Sequence, residues 1–241
     1  MPTDDLGFEL QRQGPATRVV SLVPSLTEAI AVTNRAALVG ATDWCTQPAD
    51  LDVTRVRGTK NPDVKAIAAL QPDVVIANQE ENRELDVRRL RESGIDVWVT
   101  RIETVPEAFS SMRRMFTEAL GWDPPAWLDR AETVWEAPAE GAGRLAVAVW
   151  RDPWMVVGRD TFTGDRLERM GYTNAFGESS ERYPKVEIGE LDQPGVLVLL
   201  PDEPYVFTQD DGPEAFENAE TRLVNGRLLT WYGPSLLERH L

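Results

Sequence analysis

Aromatic rings standing just beyond short apolar runs are the side chains of this sequence best suited to chemistry. That chemistry is stacking on a flat, partly apolar ligand rather than bond breaking. Trp44 follows the run 37–41, Trp154 follows 145–150, Tyr205 follows 196–200 and Tyr232 follows 227–231, with Tyr183 in an Arg-Tyr-Pro loop between them. Tryptophan occurs 8 times in 241 residues, above its usual share. Two catalytic constellations are excluded by count: one histidine, His240, and one cysteine, Cys45, cannot build a His-based triad or a Cys/His zinc site. Without a histidine base, Cys45 reads as a buried or cleft-wall thiol. No dinucleotide, P-loop or nucleophile-elbow motif occurs, and Thr161–Asp165 reads as a plain capped helix start rather than an anion site.

The elements that must position those rings alternate. Residues 18–23 form a short β-branched run closed by Pro24, and Ser25 with Glu28 offers a capping box for the following helix. Runs at 37–41, 74–77 and 95–100 read as further strands. Between them lie helical spacings over 61–70 and 82–93, the second ending at Gly94. Short strands alternating with helices call for parallel pairing. Residues 104–120 form an amphipathic helix ending at Gly121, a second helix spans about 126–136, and a new strand series follows at 145–150, 196–200 and 227–231. The expected fold class is therefore α/β: two doubly wound, Rossmann-like lobes at 1–103 and 141–241, joined by linking helices over 104–140, with the ligand cleft between the lobes. In open α/β sheets ligands bind beyond the carboxyl ends of the strands, where the rings stand.

The same segments resemble a known family, the substrate-binding proteins of ABC importers with a rigid helical backbone, also called class III periplasmic binding proteins, which carry cobalamin, haem or ferric siderophores. The resemblance lies in Arg18–Glu28, Asp4–Gly7, Asn61-Pro62-Asp63, Gln71–Ala77, Glu80–Arg83 and Glu203-Pro204-Tyr205, and it is nearest to the cobalamin-binding branch. It implies that Ser25, Trp44, Trp154, Tyr183, Tyr205 and Tyr232 line the cleft. It also implies that an exposed acid on each lobe docks on arginines of the ABC permease subunits. Glu84 takes the first of these positions, and among Asp210, Asp211 and Glu214 the second is assigned to Glu214. On this view the chain is a monomer with no catalytic residue, no metal ligand and no covalent cofactor. Its ligand is cobalamin or another metal chelate, and the metal arrives inside the chelate. Arg151, Arg159 and Arg182 keep an anionic siderophore or haem in contention. Trp44 and Trp154 are expected to hold ligand without carrying the stability of the fold.

Charge and hydropathy narrow the partners. With 40 acidic against 25 basic residues the formal net charge is −15, which disfavours phosphate backbones and anionic lipid surfaces. No apolar run approaches the roughly 20 residues of a membrane helix. The segment Met1–Asp5 has no basic stretch, and no apolar run follows it before Val19, so the sequence as written shows no export signal, although a chain trimmed of its signal would look the same. Residues 124–138 are also short for the helix that bridges the lobes in that family, since about 13 helical residues rise only about 20 Å. The alternative function is accordingly a cytoplasmic chaperone or enzyme that binds a corrinoid or tetrapyrrole on the same scaffold without a transporter.

Overall fold

A computed structural model describes residues 1–139 and 141–240. The chain divides into two α/β units. The first comprises Met1–Ile102, Pro106–Arg130 and Tyr232–Pro234, and the second Glu103–Val105, Ala131–Trp231 and Ser235–Leu241. Residues 106–130 thus belong to the first unit, and the boundary drawn at Glu140 lies outside the described residues.

In the first unit β1 (Val19–Ser21), α1 (Pro24–Asn34), β2 (Leu38–Ala41), β3 (Thr54–Arg55), the hairpin β4 (Arg57–Gly58) and β5 (Asn61–Pro62), α2 (Val64–Ala69), β6 (Val74–Asn78), α3 (Glu84–Glu92) and β7 (Val97–Thr100) follow in order. The sheet runs β3-β2-β1-β6-β7 with every pairing parallel. Strands β1, β6 and β7 are buried along their whole length, which is why they read as continuous apolar runs rather than alternating ones. Helices α2 and α3 close the core: Ile67, Val87 and Leu90 pack against Val20, Val75 and Val97. Strand order reverses at β1, whose two neighbours are β2 and β6. The unit's switch point, where doubly wound sheets take ligands, therefore lies past the ends of β1 and β6.

The amino-terminal arm forms the expected hairpin. Thr3 bridges Glu9, and Asp4 Oδ1 accepts from the backbone N–H of Leu6 and Phe8. Asp4 Oδ2 takes Arg91 at 2.7 Å, an ion pair closed off from water on the acid's side. The capping box is not formed. Pro24 occupies the first position of α1 and Val23 is its N-cap, with no side-chain cap, so Ser25 lies inside the first turn.

Helix α4 (Val105–Arg114) continues into a wide π turn over Met115–Ala119, and α5 spans Ala126–Trp135. The second unit then adds β8 (Gly143–Trp150), β9 (Met155–Val156), α6 (Phe162–Arg169), β10 (Tyr172–Asn174), α7 (Ile188–Leu191), β11 (Val196–Pro201), β12 (Glu220–Val224) and α8 (Arg227–Thr230). The parallel order is β10-β8-β11-β12, with β9 antiparallel to β8, so this switch point lies past β8 and β11.

The strand expected at 227–231 is instead the single helical turn α8. Asn225 Oδ1 accepts from Arg227 N–H to start it, and Leu229 is the residue it buries. The missing strand is β12, an edge strand with no fully buried position and hence no apolar signature. Thr161 caps α6 by accepting from Gly164 N–H, the plain helix start the sequence suggested.

Candidate functional site

At the strand ends of the first unit, one ring stands in solvent. Trp44, two residues past Thr42 in the turn after β2, is 64% exposed. Its loop is nevertheless fixed. The Arg55 guanidinium reaches back from β3 to donate to the carbonyls of Thr42 at 2.9 Å, Cys45 at 2.8 Å and Leu51 at 3.2 Å. Gly58 lies under the indole, and a Cβ added there would sit 3.3 Å from Trp44 Nε1 and 2.5 Å from Asn61 Oδ1. A larger residue at position 58 would therefore push the ring away.

The loop's other end is buried. The Cys45 thiol lies 3.0 Å from Thr27 Oγ1 and 3.1 Å from Thr42 Oγ1. Burial pushes it above the usual thiol range, and those hydrogen bonds draw it only partly back. It is a protonated wall, not a thiolate nucleophile.

Ser25, buried at the start of α1, lies beside the segment that carries Tyr232. Gly233 follows with φ 142, and a Cβ there would stand 3.0 Å from the Ser25 carbonyl oxygen, so glycine alone permits the approach. Tyr232 itself is buried. Asn82, from the Glu80–Arg83 motif, clamps the edge: its Oδ1 accepts from Asn78 N–H at 2.9 Å and its Nδ2 donates to the carbonyls of Leu22 and Thr59. Glu84 is exposed in the first turn of α3, where its charge suits the helix terminus.

The second unit builds its edge differently. Trp154, the other expected ligand indole, is only 8% exposed: it stacks on Phe207 at 5.8 Å and meets Phe216 edge-on at 5.4 Å. It belongs to the unit's core with Ala146, Val198 and Leu200, which corrects the expectation that it carries no stability. Tyr205 joins the same cluster, 4.7 Å from Phe207.

The indole in solvent here is Trp150, 44% exposed at the end of β8 and edge-on to Tyr205 at 5.5 Å. In the sequence it lies inside the expected strand 145–150, and its place as the last residue of that apolar run is the signal that marks it as a strand-end ring. Tyr183 is not brought to this cluster. It is half-buried against Leu145, Val147 and Val157, on a loop held to the strand by Gly158 N–H donating to the Arg182 carbonyl at 2.8 Å.

A charged network surrounds Tyr205. Its hydroxyl donates to Asp211 Oδ2 at 2.6 Å, and Arg151 binds both Asp211 and, at 2.5 Å, Glu214. The Tyr205 hydroxyl, then Arg151, hold the Asp211 carboxyl below the ordinary carboxylate range. Glu214, assigned to permease docking, is thus engaged within its own unit, where it also accepts from Gly212 N–H. On the neighbouring turn burial lifts the Glu203 carboxyl, against the pull of the Trp231 and Thr230 donors. Among the described residues no group of His, Cys, Asp and Glu could hold a metal ion, and no helix is long and apolar enough to cross a membrane.

No protein-family model matches the chain. It is similar in sequence to the vitamin B12-binding protein of Vibrio cholerae, 22% identical over 198 residues that cover 78% of this chain and 72% of that one. In structure it superposes on the periplasmic vitamin B12-binding protein BtuF of Vibrio cholerae with a TM-score of 0.72 at 19% identity, over 93% of this chain and 94% of the other. The chain has the fold of the helical-backbone substrate-binding proteins. The same fold is shared with the periplasmic heme-binding protein RhuT of Roseiflexus sp. RS-1, at a TM-score of 0.73 and 17% identity over 93% and 96% of the two chains. Similarity to both kinds of protein bears out the sequence resemblance at the level of fold.

Proposed function

We propose that this protein is a substrate-binding protein that captures a metal chelate, a cobalamin-like corrinoid first and a ferric siderophore or haem next, for delivery to an ABC importer outside the cytoplasm. The observation that carries the reading is the placing of solvent-exposed indoles at strand ends. Trp44 stands on a stapled loop in the first unit, and Trp150, backed by Tyr205, stands at the switch point of the second. Flat rings of this kind bury the apolar edge of a macrocycle at roughly 25 cal/mol per Å² before ordering costs.

The similarity to vitamin B12- and heme-binding proteins supports this ligand class. Ser25 and Tyr232, which stand beside one another in the first unit, are proposed to add to the ligand-binding surface, and the exposed Glu84 offers its carboxylate to arginines of a permease. On this reading the ligand is carried and not transformed. The test is a visible absorption spectrum of the protein purified from its own host, because corrinoids, haem and ferric chelates absorb differently. Protein that is colourless and takes up neither cyanocobalamin, haemin nor a ferric chelate on titration would refute the proposal.

A further inference from the structure

An anionic chelate needs cations to meet it, and the loops after the strands of the second unit offer Arg151, Arg159 and Arg182, with Lys185 beside Arg182. Each of the three arginines already holds an acid. Arg182 donates to Glu103 at 2.8 Å, Arg159 to Asp160 at 2.7 Å, and Arg151 to Asp211 and Glu214. Arg151 matters most, because it directly follows the exposed Trp150 and its own side chain is only 21% exposed. Two carboxylates on one guanidinium leave a surplus of negative charge, and Asp152 stands 3.8 Å away as a third. Neither principal carboxylate swings aside freely. Asp211 is also held by the Tyr205 hydroxyl at 2.6 Å, and Glu214 accepts from Gly212 N–H at 2.5 Å.

We propose that this carboxylate-covered arginine makes the site selective by charge, admitting neutral or cationic metal chelates and excluding anionic ones. The inference rests on the metal-chelate reading above and sharpens it. An anionic ligand reaching Tyr205 and Trp150 must either displace a carboxylate from Arg151, breaking two bonds at once, or lie within a Debye length of acids that repel it, about 8 Å at physiological salt. A neutral corrinoid meets neither cost.

The test measures binding of the full chain, by tryptophan fluorescence and calorimetry, to three probes: neutral cyanocobalamin, a cationic ferric trihydroxamate and a multiply anionic ferric tris-catecholate. Wild type is expected to bind the anionic complex at least about tenfold more weakly than the neutral one, a gap that narrows as salt is raised. The isosteric double variant Asp211→Asn with Glu214→Gln keeps an acceptor for Tyr205 but uncovers Arg151. It should raise affinity for the anionic complex roughly tenfold relative to the neutral one, and adding Arg151→Gln should remove that gain.

Equal wild-type affinity for the anionic and neutral probes would overturn the inference alone, as would an unmoved ratio in a double variant that melts like wild type. If the double variant fails to fold, the salt series on wild type decides: affinity for the anionic probe that falls with salt shows attraction and overturns the inference, and affinity that rises upholds it. Failure to bind any of these probes or haemin would overturn the metal-chelate reading and this inference with it.

Discussion

The two units solve the same problem, presenting a ring at the end of a parallel sheet, by opposite means. In the first, the exposed ring and the residues that hold it are separate: Trp44 touches solvent while Arg55, Gly58 and the Cys45–Thr27 contact fix its loop. In the second, support and presentation run through one aromatic cluster, from buried Trp154 through Phe207 and Tyr205 to exposed Trp150. A stapled loop lets the ligand-facing residue change without disturbing the core. A continuous cluster ties the face to the fold, and mutations should separate the two arrangements.

The largest effect is expected for Trp154→Ala. Removing an indole that stacks on Phe207 and meets Phe216 edge-on leaves a cavity in the core of the second unit, and such truncations cost about 3–5 kcal/mol. Urea unfolding should show a much lower midpoint, with ligand binding weakened only because the aromatic edge is no longer supported. A variant as stable as wild type that has lost ligand would mean that Trp154 is a contact residue and that the comparison fails.

Trp44→Ala should behave the other way. With the indole in solvent, stability should stay within about 0.5 kcal/mol of wild type, while affinity for cyanocobalamin falls by about 2 kcal/mol, or roughly thirtyfold. Calorimetry beside a thermal melt reads both quantities. Native affinity in this variant would remove Trp44 from the site.

That contrast also marks what the sequence could and could not disclose. Buried parallel strands such as Val74–Asn78 announce themselves because both faces are apolar, and the positive-φ glycines at Gly94 and Gly121 end their helices where glycine is needed. Edge strand β12 did not, since a strand bearing Glu220 and Arg222 has no buried face to leave an imprint. Trp44 was legible as a strand-end ring. The exchange of roles between Trp150 and Trp154 was not: both flank the same turn, and which indole is buried depends on where Phe207 and Phe216 lie, more than fifty residues away in the chain. The ion pairs that cover Arg151 depend likewise on residues some sixty positions later.

The smallest expected effect concerns acid, acting at one carboxyl of the second unit. Asp192 accepts from the backbone N–H groups of Ala219, Asn218 and Glu217, tying down the loop that leads from Phe216 into β12. Those donors hold its carboxyl at about 2, below the 3.8 it would have in an unfolded chain. A carboxyl whose folded value is depressed contributes stability that is fully present above the unfolded value and disappears as pH falls through the folded one. The loss therefore runs from about pH 4 down to about pH 2. The first unit's staple is a guanidinium, which does not titrate in that range. Protonating Asp192 should thus loosen the second unit's edge, reported by Trp154 beside Phe216, while the Arg55 contacts that hold the Trp44 loop stay in place. Urea unfolding of wild type and Asp192→Asn across this window should show a shallower pH slope in the variant and a constant difference at higher pH, and identical slopes would mean that the loop's anchor lies elsewhere.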